Sequence, residues 1–218
     1  MNIFSTDGAL FRALNLIADI LLLHILWILF SLPIITIGAS TTALYDTAMK
    51  RVRKDENYTI RTYFTAFTSN FKQSTLLWIL VCLIGFILYL DIQISMAAEG
   101  TIGTIMLIGC STLLIPYLFT ALYIFPVQAK FENRMIDNIK NAFLLSFSNF
   151  GYTLLLLVVI VTFAVLGISS VPVMGILIVC GAGLFGYLSA GIFVMVFRKY
   201  IPDEFEEDLE KNGVSSGK

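Results

Sequence analysis

Residues 60–81 read IRTYFTAFTSNFKQSTLLWILV, and the pattern returns at residues 139–160 as IKNAFLLSFSNFGYTLLLLVVI. At an offset of 79 the copies share Ile60/Ile139, Phe64/Phe143, Ser69/Ser148, Asn70/Asn149, Phe71/Phe150, Leu76/Leu155 and Leu77/Leu156. Arg61/Lys140 and Ser74/Thr153 are conservative matches. Upstream, Thr42-Ala43-Leu44-Tyr45 returns as Thr120-Ala121-Leu122-Tyr123 at an offset of 78. Self-similarity at a fixed period marks a repeated structural unit. Each copy passes from a polar half studded with aromatics into an apolar half. The expected fold is therefore all-α and membrane-integral: a two-helix unit duplicated in parallel, plus one extra helix.

Composition agrees with that reading. The chain of 218 residues is 58% hydrophobic and 13% charged, about half the charge fraction of a soluble domain, with a mean hydropathy of +0.87. The net charge of −1 conceals strong segregation. No charged residue lies between Lys140 and Arg198, which leaves room for two bilayer crossings of about 20 residues each. We expect one membrane domain over 1–218, with repeat 1 at about 9–95 and repeat 2 at about 102–168. A fifth span follows at about 173–197, and then an acidic tail over 198–218. Membrane lipid is the expected surrounding; nucleic acid is excluded as a partner by the lack of a basic face. The first apolar run is too long for the core of a cleavable signal peptide.

In chain order the spans fall at about 9–37, 75–95, 102–126, 151–168 and 173–197. Pro33 interrupts the first, because it lacks a backbone donor and clashes with the preceding turn. The Thr-, Ser-, Gly- and Ala-rich run after it continues the helix or breaks at the membrane surface; its residues fit both. Every Lys and Arg except Arg12 lies in the two connectors or the tail. The positive-inside rule puts those segments in the cytoplasm, and five crossings then put the N-terminus outside.

The connectors carry the sharpest periodicity. Ile60, Phe64, Phe67 and Phe71 recur at helical spacing, and Ile139, Phe143, Phe147 and Phe150 repeat the row. Each row predicts a cytoplasmic amphipathic helix leading into the next span. Such a face lies in the headgroup region or docks a partner.

Within the spans, Asp19 is the one carboxylate, and intramembrane ionisable groups are functional candidates. Arg12, Asn15 and Asp19 share one helix face, near the outer end of the first span, where a salt bridge or partner contact is expected. His24 lies about 140° away on the helix, so it is no acid–base partner for Asp19 and reads as a hydrogen-bonded core residue. Ala182, Gly186 and Ala190 form a small-xxx-small packing face. Cys82, Cys110 and Cys180 stand alone in apolar runs, as small buried hydrophobes do. There is no metal-ligand spacing, Walker A loop, HExxH or GxSxG, so no catalytic residue, metal or cofactor is expected.

The run Leu32–Gly38 (LPIITIG), the following Thr42-Ala43-Leu44-Tyr45, and Thr62–Ser74 (TYFTAFTSNFKQS) resemble the YesL-like family. The resemblance implies a bacterial multi-pass inner-membrane protein, encoded beside carbohydrate ABC importers. It supplies no catalytic or binding residue. Two functions are expected from different classes. One is a non-enzymatic accessory that contacts an ABC permease or ATPase subunit through the aromatic rows. The other is a small standalone transporter or channel, motivated by Asn15, Asp19, His24 and the proline-broken spans.

Overall fold

The computed structural model describes residues 9–53, 59–98, 100–131 and 133–202, with residues 9–12 described by backbone alone. The acidic block from Asp203 onward and the side chain of Arg12 lie outside the described residues. All described elements are helical: α1 (Ala9–Ser31), α2 (Ile37–Arg53), α3 (Thr59–Ala97), α4 (Gly100–Lys130), α5 (Met135–Ser148), α6 (Phe150–Ser169) and α7 (Val171–Arg198). Five of them, α1, α3, α4, α6 and α7, are long and apolar enough to cross a membrane. The chain is an all-α protein of multi-pass membrane type.

The first span ends earlier than its apolar run. α1 stops at Ser31, Pro33 takes an extended conformation (φ −75°, ψ 115°), and Ile34–Thr36 forms a single 3₁₀ turn. The Thr36 hydroxyl lies within donating distance of the carbonyls of Phe30 (2.6 Å) and Pro33 (2.7 Å), and the Thr36 amide also donates to the Pro33 carbonyl at 2.9 Å, so the carbonyls at the end of α1 and in the turn are met locally. The chain then reverses. Ser40 Oγ donates to the Trp27 carbonyl at 2.9 Å, and Trp27 Nε1 donates to Thr41 Oγ1 at 3.2 Å. At the far end of this hairpin Arg51 pairs with Asp19. The segment after Pro33 is thus both a break and a helix, and the single span expected over 9–37 is corrected to α1 alone.

The least apolar of these helices occupies the centre. α2 packs against α1, α3, α4 and α7, and ten of its residues are buried, from Gly38 to Met49. Its buried positions are mostly Gly, Ala, Ser and Thr, which let neighbouring backbones approach closely. A Cβ at Gly38 would lie 2.5 Å from both the Ser74 carbonyl oxygen and Trp78 Cβ. Thr42 and Thr47 return their hydroxyls to the carbonyls four residues earlier, so neither leaves a buried donor unmatched. Lipid-facing apolar bulk lies on the outer helices instead, as on Leu83, Phe86, Ile105, Ile108 and Val158.

α3 has 39 residues, about 58 Å at 1.5 Å per residue, against a hydrocarbon core of about 30 Å. Its first half, holding Arg61 and Lys72, therefore extends well past the apolar stretch that starts near Leu76. The second copy of the repeated stretch folds differently. It breaks at Asn149 (φ −113°, ψ 45°) into α5 and α6. Gly151, a weak helix former, stands where α3 has Lys72, and Thr153 Oγ1 donates to the Ser146 carbonyl across the break at 2.7 Å. The repeated tyrosines, Tyr45 and Tyr123, both set an edge-on contact with Phe193 of α7, at 5.5 and 5.1 Å between ring centroids.

A polar chamber between α2, α3 and α4

The carboxyl ends of α2 and α4 meet the amphipathic half of α3 around a cavity of about 660 Å³. α2 contributes Asp46, Lys50 and Arg53, and α3 contributes Ser69, Asn70 and Gln73. Gln128, Lys130 and Asn133 close it from α4 and the residues just beyond. The wall is held by a relay of amides. Asn138 of α5 donates to Gln128 Oε1 at 2.7 Å, Gln128 Nε2 donates to Asn70 Oδ1 at 3.1 Å, and Asn70 Nδ2 donates to the Ala66 carbonyl at 3.1 Å. Gln73 Nε2 donates to the Asn133 carbonyl at 2.9 Å. Gln128 and Asn138 are buried, where an amide without partners is costly, so the relay fixes α3, α4 and α5 together.

Asn70 gives the identical Ser-Asn-Phe triplets a physical meaning. Its counterpart Asn149 likewise donates to the carbonyl four residues earlier, Leu145, at 3.1 Å. Each asparagine also bonds at or just beyond the carboxyl end of a long helix. Asn70 accepts from Gln128 near the end of α4, while Asn149 accepts from Lys199 (3.3 Å) and donates to the Tyr200 hydroxyl (3.0 Å) just beyond α7.

Among the described residues the charged lining is Lys50, Arg53, Lys130 and Asp46, of which Lys50 and Asp46 pair at 3.1 Å. In the sequence these cations mark only a side of the membrane. The signal that pointed here was the identity of Asn70 and Asn149; the convergence of α2 with α3 and α4 had none.

The residues singled out in the sequence take varied places. Asp19 stands in an ion pair with Arg51 and accepts the Thr59 hydroxyl at 2.7 Å. It is therefore beside the first connector, and its expected place at the opposite end is corrected. Asn15, one turn earlier, is exposed. His24 is buried and bridges α7: Nε2 donates to the Ile178 carbonyl at 2.8 Å, and Nδ1 accepts from the Ala182 amide at 3.1 Å. Those two backbone groups are four residues apart, the spacing of a helical hydrogen bond, so the imidazole spans a rung of the α7 ladder. Asp19 and His24 have separate partners. Gly186 lies against Leu44 and Ala190 is fully buried, while the closest approach on that face belongs to Gly183, beside the Ile20 carbonyl. Cys82 is exposed, and Cys110 and Cys180 are half-buried, which corrects their reading as core hydrophobes.

The aromatic rows divide. Phe67 turns inward, its ring tilted against Phe30 at 4.7 Å between centroids, whereas Ile60, Phe64 and Phe71 are exposed. In the second row Ile139 packs on the core, and Phe143, Phe147 and Phe150 are exposed, with the last two beside Phe119. Between α1 and α3 an apolar groove of about 780 Å³ is lined by Leu22, Leu26, Leu29, Phe30, Ile60 and Phe64, with Asp19 and Arg61 also in its wall. Among the described residues no three His, Cys, Asp or Glu side chains stand close enough to hold a metal ion.

Residues 20–92, which run from α1 through α2 and most of α3, match the family described as "Protein of unknown function, DUF624". The chain is similar to "Uncharacterized protein YesL" of Bacillus subtilis strain 168, 25% identical over 138 residues, which are 62% of this chain and 65% of YesL. It is also similar to "Uncharacterized protein YteU" of the same organism, 26% identical over 160 residues, 69% of this chain and 71% of YteU. The matched part thus spans just under two thirds of YesL. No solved structure matches. The matched DUF624 region includes the Pro33 reversal, the buried α2 and the α3 wall of the chamber, while the wall from α4 lies beyond it.

Proposed function

We propose that this protein is a non-enzymatic membrane component that assists a carbohydrate ABC importer by gripping a permease or ATPase subunit. The observation that carries the proposal is the α1–α3 groove, into which the first aromatic row presents Ile60 and Phe64. A groove of this volume and apolar lining suits an apolar helix of a partner, read as anchors at helical spacing. The choice of an importer rests on the family resemblance. The cation count favours a cytoplasmic location for the connectors, in the plasma membrane of a bacterium. The Asp19–Arg51 pair then argues for the start of α1 on that same side, in place of an outside N-terminus. Co-purification with the permease encoded nearby tests the reading. Ile60, Phe64, Phe143 and Phe147 changed to Ser should abolish it while the protein still inserts; Phe67 is left intact because it packs inward. A complex that survives these changes overturns the proposal.

A standalone transporter is the second reading, favoured by the polar chamber. Solute flux into liposomes containing only this protein would establish it and displace the accessory role.

A further inference from the structure

We infer that the cleft between α6 and the α1–α2 pair is the seat of one hydrocarbon chain of a membrane phospholipid. The cleft has a volume of about 370 Å³, with Trp27 and Leu44 on one side, Ile160 and Phe163 on the other, and Gly181 and Ala182 of α7 between them. It shares no lining residue with the α1–α3 groove, so it stands apart from the docking surface proposed above. Small residues on a spanning helix ordinarily let a neighbouring backbone come close, and Gly183 does so against Ile20 of α1. Gly181, two residues earlier, has no such neighbour. A Cβ added there would meet only Leu177 of its own helix, at 3.5 Å. α6 packs on α7 and, at its start, on α5, and Phe163 meets Phe185 edge-on at 5.7 Å between ring centroids. The side of α6 that looks toward α1 and α2 is therefore left with the cleft.

Depth and chemistry decide what enters it. Ile160 and Phe163 stand near the middle of α6, and Gly181 and Ala182 near the middle of α7, which places the cleft in the hydrocarbon layer. Val158 and Val161 of α6 and Ile178 and Val179 of α7 are exposed beside it, so it is continuous with the lipid-facing surface. The polar atoms in its wall are turned to other protein groups: Trp27 Nε1 donates to Thr41 Oγ1 at 3.2 Å, and the Tyr45 hydroxyl faces Ser189 Oγ at 3.5 Å. An apolar cavity of this kind stays dry and takes apolar guests, and an empty one forfeits the dispersion contacts of close packing. A partner helix is too large, since two turns about 11 Å long and about 10 Å across need roughly twice this volume. An acyl chain is narrow and flexible, and the bilayer supplies it at high concentration. Seated there, it ties α6 to α1 and α2.

The chain has two tryptophans, Trp27 and Trp78, so Trp78→Phe leaves Trp27 as a reporter in the wall of the cleft. The full chain carrying this change is reconstituted in phosphatidylcholine vesicles, and in vesicles of the same lipid brominated midway along its chains, which quenches indole fluorescence on contact. Trp27 should be quenched in the brominated vesicles. Gly181→Leu builds a side chain into the cleft from α7, and Ile160→Phe fills it from α6; each should lose most of that quenching. Gly175→Leu adds the same bulk where α7 faces open space and should quench as the parent does. Circular dichroism of each variant reads retention of the helices, and the two filling changes, on different helices, check one another. If Trp27 is not quenched, the cleft holds no lipid chain and the inference is overturned. It is equally overturned if the filled variants are quenched as strongly as the parent, or if Gly175→Leu removes as much quenching as they do.

Discussion

A methyl group added at Gly183 would sit 2.0 Å from the Ile20 carbonyl oxygen, backbone against backbone, whereas at Gly175 or Gly191 it would meet nothing within 4 Å. The three glycines lie in one helix and differ only in what faces them. Gly183→Ala should therefore force α7 from α1 and cost about 1–3 kcal/mol, as overpacking does. Gly175→Ala and Gly191→Ala should stay within about 0.5 kcal/mol of the parent or gain slightly. Chemical unfolding in detergent distinguishes these, and equal effects at all three would refute the close α1–α7 contact. His24 acts at the same junction. Its removal in His24→Ala forfeits two hydrogen bonds at about 1 kcal/mol each and leaves a void beside Gly183, so the midpoint of unfolding should fall. A lone imidazole in an apolar run has few ways to be satisfied other than as a hydrogen-bonded core residue, and His24 is buried with two such bonds. The partner stays hidden in the sequence, since a rung of α7 backbone has no side-chain signature.

Helix by helix, the two copies of the repeated stretch show how neighbours override shared residues. Ser-Asn-Phe continues as helix in α3 and breaks between α5 and α6, where Lys199 and Tyr200 hold Asn149 and Gly151 weakens the following turn. Asn149→Ala should release the end of α7, and trypsin should then cut after Arg198 and Lys199 several-fold faster than in the parent; an unchanged rate would contradict that anchoring role. Asn70→Ala strips Gln128 of its acceptor inside the relay and should cost about 1–3 kcal/mol, the penalty for a buried unsatisfied donor. A double-mutant cycle with Gln128→Ala should recover most of that loss as coupling. The apolar spans of α4, α6 and α7 were legible within about four residues of their ends because lipid demands a continuous apolar surface. α2 was not, for the opposite reason. Gly38, Ala39, Ser40, Thr42, Ala43 and Thr47 face protein on every side, and hydropathy registers what faces lipid.

For the molecule as a whole, the consequence of α2 is larger than its length. By folding back on α1 it brings Arg51 to Asp19 and Lys50 and Arg53 to the mouth of α3 and α4, so one reversal at Pro33 both fills the core and builds the chamber. The separate parts were visible beforehand: the break at Pro33, the basic connector, the polar face of α3. Their meeting depends on the direction of the chain after residue 36, which composition and periodicity leave undetermined. The same reversal decides the sidedness of α1. Single cysteines at Asn15 and Asn133, placed in a chain whose native cysteines are changed to Ala, should both resist a membrane-impermeant maleimide in intact cells and both react once the membrane is opened. Labelling of Asn15→Cys from outside intact cells, with Asn133→Cys still protected, would contradict the fold-back arrangement on which the core, the groove and the chamber depend.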